Sequence, residues 1–189
     1  MTKIVLASAS PRRTELARRI GLDCAADPAD IDESAVEPSV EAAAVLSRRK
    51  AEAVVPRHPA GTVVIAADTL VVCGGQILGK PRDEEEAFCM LKALAGRTHT
   101  VLTGVTVRQD GRNLTKTEKT DVIMRPLTDA RIRAYIATGE PMDKAGAYGI
   151  QERGALLIER VEGDFYNVMG LPVCLLAKML QDFGVDLLC

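Results

Sequence analysis

"TVVIAADTLVVCGGQILGKP", residues 62–81, is the stretch on which the fold turns. Its first twelve residues carry β-branched and other apolar side chains almost without a break, the pattern of a strand buried on both faces. Gly74-Gly75 then separates this run from the short apolar "QIL", and two apolar runs around Gly-Gly read as a hairpin. The same residues contain G-x-x-x-x-G-K, as Gly74, Gly79 and Lys80, which is the spacing of a phosphate-binding P-loop. Two features argue against that reading. Pro81 stands where the motif needs a Ser or Thr hydroxyl for magnesium, and Ile77 and Leu78 sit where the loop backbone would wrap phosphate. A lysine between Gly79 and Pro81 can still touch phosphate, as a point charge on a rigid turn.

Upstream, "KIVLA" (3–7) is a short strand, and "SPRRTELARRIG" a helix with Leu16, Ala17 and Ile20 at helical spacing, stopped by Gly21. "DCAAD" is a second short strand. "SVEAAAVLSRRKAEAVV" (39–55) is an Ala-rich helix with Ser39 as its cap and Val40, Ala44 and Ala51 near one face. Downstream, Asp83 and Glu86 make a capping box for a helix that fades by Gly96. "THTVLTGVTVRQ" and "LTKTEKTDVIMR" alternate polar and apolar residues across "DGRN", a long hairpin with one wet face. "TDARIRAYIATG" is a helix, "ALLIERV" a strand, and "LPVCLLAKMLQDFG" a last helix with Pro172 near its first turn. The class is therefore mixed α/β, and hairpins among helices argue against a purely parallel sheet.

Composition narrows the function. Over 189 residues the net charge is −2, Trp is absent and aromatics make up 3%, which leaves little for stacking bases or binding a nucleic-acid strand. No apolar run approaches the ~18 residues that suggest a membrane span, and "MTKIVLASASPRR" lacks the apolar core of a secretory signal. The five cysteines are scattered and form no C-x-x-C pair, so the chain is expected in the reducing cytoplasm without a zinc site. His58 and His99 have no acidic or thiol partner at ligand spacing.

Five features are chemically out of place. Arg12 and Arg13 follow Ser10 and Pro11 at a helix start, where two cations face the positive end of the dipole at a cost of roughly 0.3–1 kcal/mol each. An anion held there by backbone N–H groups, Ser8, Ser10 and the guanidiniums would answer them; so would simple solvation, and the stretch alone weighs both evenly. Asp68 lies inside "VVIAADTLVV", where a carboxylate must reach a strand end, pair with a cation or bind a metal. Asp30, Asp32, Glu33 and Glu37 crowd one loop, of which a single acid need be functional. Lys80 is the fourth feature. "DKAGAYGIQERG" (143–154) is the fifth, either a connector or a binding loop, with Lys144 and Gln151 set between glycines.

The ordered set "LASASPRR", "DES", "RRKA", "AADTLV", "LGKP", "DKAGAYGIQ" and "NVMGLP", from residue 4 to about 172, resembles the Maf family of nucleoside triphosphate pyrophosphatases, and its "DKAGAYGIQ" resembles the branch acting on dTTP and UTP. The resemblance implies one domain over 1–189, with a two-lobed mixed-sheet fold of the inosine-triphosphatase type, a central cleft and a homodimer. It implies Asp68 as the proton acceptor, Ser8, Arg12, Arg13, Lys50 and Lys80 around the triphosphate, and Glu33 with Asp68 near a divalent Mg²⁺ or Mn²⁺. Arg12, Thr69 and Gln151 match positions linked to substrate preference. The expected reaction releases pyrophosphate and a nucleoside monophosphate. It would serve to clear modified pyrimidine nucleotides or act in cell-division arrest. The alternatives are a 7-methyl-GTP or noncanonical purine triphosphate substrate, or a nucleotide-binding regulator of division without catalysis.

Overall fold

The buried run becomes β3 (Val63–Cys73), and Gly74 and Gly75, both at positive φ, turn it into β4 (Gln76–Leu78) with Val72 opposite Ile77. This is the hairpin that excludes a P-loop. The computed structural model describes residues 2–33 and 36–188. Its strands form a seven-stranded sheet in the order β2-β1-β3-β5-β6-β7, with β4 as a further partner of β3. Here β1 is Ile4–Leu6, β2 Ala25–Ala26, β5 Thr98–Gln109, β6 Arg112–Met124 and β7 Ile158–Glu162. β1 pairs in parallel with both β2 and β3, whereas β3–β4 and β6–β7 are antiparallel, so the sheet is mixed as expected.

The chain divides into two compact units, and β3, β5 and β6 each contribute residues to both. The first unit takes the residues up to Asp68, Thr103–Glu118 and those from Gly170 on. In it, α1 (Pro11–Arg19) lies in the chain between the parallel strands β1 and β2. α2 (Ala42–Val54) leads into β3, and its Ala51 and Val54 pack with Val5, Ala7, Val64 and Ala66 in a core of small side chains. At Gly104 of β5 a Cβ would stand 2.3 Å from the Ala43 carbonyl oxygen, so α2 and the strand meet backbone to backbone. α6 (Val173–Gln181) buries Leu176, Met179 and Leu180. One expectation fails here. Helix α2 starts after Glu41 rather than at Ser39, and Val40 is 53% exposed, because the face that packs is Ala43, Leu46, Ser47, Ala51 and Val54.

The second unit comprises Thr69–Leu102 and Lys119–Met169. α3 (Glu84–Leu94) and α4 (Asp129–Ile136) supply Leu91, Leu94, Ile132 and Ile136 to a core with Val71, Val101, Val122 and Met124. Asp83 caps α3 by accepting from Glu86 N at 2.7 Å, as its spacing predicts. The reciprocal half of the capping box is absent: the Glu86 carboxylate takes Arg82 N instead, at 2.6 Å. Residues 155–157 belong to a 3-10 turn rather than to the start of β7, and the short α5 (Phe165–Met169) has no counterpart among the elements expected from sequence.

Candidate active site

The end of β1 is folded back on itself. Ala7 N still donates to Ile65 O of β3 (2.7 Å), while Ser8 N turns to Leu6 O (2.9 Å). The buried Ser8 Oγ then accepts from Ser10 N (3.2 Å) and from Arg13 Nη1 (3.3 Å), so the hydroxyl hydrogen is left to point elsewhere. Ser10 stands at the N-cap, but its side chain makes no capping bond, contrary to the simplest reading of "SPRR". The start of α1 is instead organised around Arg13, whose Nε donates to the Gly170 carbonyl at 2.7 Å.

Asp68 is the last of six consecutive buried residues of β3, and its side chain is 11% exposed. Of the fates open to such a carboxylate, the structure takes the cation: Lys50 Nζ of α2 donates to Asp68 Oδ1 at 2.6 Å. The same ammonium lies 2.7 Å from Glu33 Oε1, in the loop after β2, so one cation ties two carboxylates together. Lys50 is itself largely enclosed, and Glu33 is open to solvent. Of the "DES" motif that contains Glu33, Ser34 lies outside the described residues.

Burial pushes the Asp68 carboxyl above the usual range; Lys50 and then Arg13 pull it back, while Glu33 adds to the rise. Burial lowers Arg13 from the ordinary guanidinium range, with Asp68 and Glu33 opposing and neighbouring Arg12 reinforcing. The result is a mixed-charge cluster in the first unit: Ser8, Arg12, Arg13, Glu33, Lys50 and Asp68. Its cations suit a polyanion. Among the described residues no group of three or more His, Cys, Asp or Glu side chains is arranged to hold a metal.

Thr69, Lys80 and Gln151, the remaining candidates, belong to the second unit. Thr69 is half-buried on β3 directly after Asp68, Lys80 is exposed in the turn beyond β4, and Gln151 is half-buried. Gly146 N donates to Gly79 O at 3.0 Å, so the Lys80 turn is fastened to the loop that leads to Gln151. Gly146 has φ +70, and a Cβ there would meet Val71 Cγ1 at 2.9 Å, which explains the glycine. Lys144 is buried and spends its ammonium on Glu140 O and Asp143 Oδ1, both at 2.7 Å. It is a structural cation of this loop. Sequence reasoning missed the Gly170 carbonyl; the only signal was a glycine closing "NVMG", and a backbone oxygen has no residue type to betray it.

Comparison with known proteins places the chain in a family. Over the fold, the chain is similar to the Staphylococcus aureus Ham1 protein, with a TM-score of 0.53 at 16% identity, covering 96% of this chain and 99% of that one. In sequence, residues 3–183 match the model of the Maf-like proteins. The chain is 52% identical to the dTTP/UTP pyrophosphatase of Moorella thermoacetica, over 98% of this chain and 97% of the relative. It is 48% identical to that of Symbiobacterium thermophilum, over 97% and 95%. The chain belongs to the Maf-like family.

Proposed function

We propose that this chain is a nucleoside triphosphate pyrophosphatase that hydrolyses dTTP and UTP to the nucleoside monophosphate and pyrophosphate. The observation that carries this reading is the buried Asp68 paired with Lys50, with Arg13 close enough to pull on its titration. The names of the relatives support pyrimidine substrates over 7-methyl-GTP or a noncanonical purine. The family match spans both units, and we take residues 1–189 as one enzymatic domain.

The triphosphate brings about four negative charges, so positioning and neutralisation do most of the catalysis. Arg12, Arg13 and the Ser8 hydroxyl bind phosphate oxygens, together with Lys50 and Lys80. Water attacks the α-phosphorus, its proton passes to Asp68 Oδ2, and the bond from the α-phosphorus to the bridging oxygen breaks so that pyrophosphate leaves with the electron pair. A carboxyl raised by burial is a better proton acceptor than a solvated one, provided Lys50 keeps it ionised at neutral pH. Glu33 and Asp68 already converge on one cation, and two carboxylates completed by phosphate oxygens make the oxygen-rich donor set that Mg²⁺ or Mn²⁺ prefers. That ion would supply charge neutralisation on the phosphates. Gln151 offers a donor and an acceptor to the edge of uracil or thymine, and Arg12 and Thr69 contribute to substrate preference.

The test is Asp68→Asn. The variant is expected to bind dTTP while losing at least ~10²-fold in turnover; wild-type turnover would remove Asp68 from this role. Chelation is expected to abolish pyrophosphate release and added Mg²⁺ or Mn²⁺ to restore it. We take the cytoplasm as the working compartment, a reading supported by four described cysteines that are all free thiols. We also take the enzyme as a homodimer, which sedimentation would report as about twice 20.3 kDa.

A further inference from the structure

The loop that carries Gln151 is closed by a device outside the phosphate-binding cluster. Glu140 Oε1 accepts from Tyr135 Oη (2.9 Å) and from Gly154 N (3.1 Å), and Glu140 Oε2 accepts from Arg153 N (3.0 Å). Tyr135 Oη in turn accepts from Gly149 N at 3.1 Å. Two side chains thus hold the backbone on both sides of Gln151: Gly149 before it, and Arg153 and Gly154 after it. The two ends also touch, since a Cβ on Gly154 would stand 2.1 Å from Gly149 O and 2.7 Å from Tyr135 Oη. A Cβ on Gly149 would strike Lys144 Cε at 2.7 Å. The base of the loop has no spare room, and the three residues between its anchored ends, with Gln151 in the middle, are held from both sides.

We propose that Glu140, directly on the Arg153–Gly154 side and through Tyr135 on the Gly149 side, is the positioning residue that sets substrate specificity by fixing the Gln151 loop. The inference rests on the reading that Gln151 meets the base. An amide that must present one donor and one acceptor to a pyrimidine edge works only if its backbone is held, because a small displacement exchanges matched for unmatched groups and forfeits the discrimination. A carboxylate suits this task better than an amide would. Three donors converge on its two oxygens, whereas the NH₂ of a glutamine would face at least one N–H, donor against donor.

The experiment compares Glu140→Gln, Tyr135→Phe and Gln151→Ala in the full chain, measuring kcat and KM for dTTP, UTP, CTP and GTP with hydrogen exchange over residues 149–154. Glu140→Gln is expected to lower the preference for UTP over CTP and GTP by about tenfold, through a higher KM for UTP with kcat nearly kept, and to speed amide exchange in the loop. Tyr135→Phe, which removes one hydroxyl and no charge, is expected to move both readouts the same way by a smaller factor, and it carries the test should Glu140→Gln fail to fold. A wild-type UTP preference in both variants, or a uniform loss across all four nucleotides, overturns the proposal while leaving the Gln151 reading intact, provided Gln151→Ala flattens the panel. If Gln151→Ala itself keeps the wild-type preference, the base-reading role falls and the positioning role falls with it.

Discussion

Asp68 depends on Lys50 more than Lys50 depends on Asp68, because the ammonium keeps Glu33 at 2.7 Å when Asp68 is neutralised, whereas the buried carboxylate loses its paired ion when Lys50 goes. A buried carboxylate deprived of its ammonium stays costly near neutral pH, so Lys50→Met is expected to lower stability by about 3 kcal/mol. Asp68→Asn in the same chain is expected to recover most of that loss without recovering activity. Urea unfolding of the two single variants and the double variant measures the coupling; strictly additive effects would mean that the two charges do not depend on each other. Asp68 was legible in the sequence because a carboxylate inside an unbroken β-branched run has few ways to exist. Its partner was not legible from the residues alone. With 24 lysines and arginines in the chain, nothing in local pattern singles out one on a helix 18 residues away; only the resemblance placed Lys50 at the site, and that placement did not include the ion pair.

Among the helices and strands, close approach and burial make two separate demands. Gly104 lets α2 lie against β5, and Gly104→Ala would drive a methyl into the Ala43 carbonyl, so a loss of at least ~2 kcal/mol is expected from thermal unfolding. A variant within a few tenths of wild type would show that the contact yields easily. On β5, His99 is buried with Nε2 on Tyr148 Oη (2.7 Å), and burial pulls its pKa down to about 4, opposed only in part by Asp121. The unfolded imidazole protonates near 6.5 and the folded one does not, so stability is complete above that value and falls as pH drops toward 4. At pH 5 the loss from this residue is about 2 kcal/mol relative to pH 7. His99→Gln is expected to remove that part of the pH slope in denaturant unfolding, and an unchanged slope would contradict it. The elements most legible in sequence were those with self-contained signals, the Gly-Gly hairpin after β3 and the Asp83 cap of α3. Ser39 misled because a cap residue type is a local preference, while the start of α2 is set by which face packs onto β5.

Across the full chain, the alternation of strands and helices and the two hairpins were enough to give the mixed α/β class, which the sheet pairings and the likeness to the Ham1 protein bear out. The division into two units was not legible residue by residue, because β3, β5 and β6 each pass through both without a composition break to mark the boundary. The site was legible as types of residue and not as contacts: the cations at the start of α1 invited an anion, but the Gly170 carbonyl that aims Arg13 and the Glu140 clamp on the Gln151 loop arise only when distant segments meet. Whether this cluster directs water to the α-phosphorus of a pyrimidine triphosphate is decided by incubating the purified chain with Mg²⁺ and dTTP, UTP, CTP or GTP while measuring pyrophosphate and phosphate separately. Pyrophosphate is expected in step with nucleoside monophosphate, fastest for dTTP and UTP. Free phosphate without pyrophosphate, or equal rates for all four nucleotides, would contradict that chemistry.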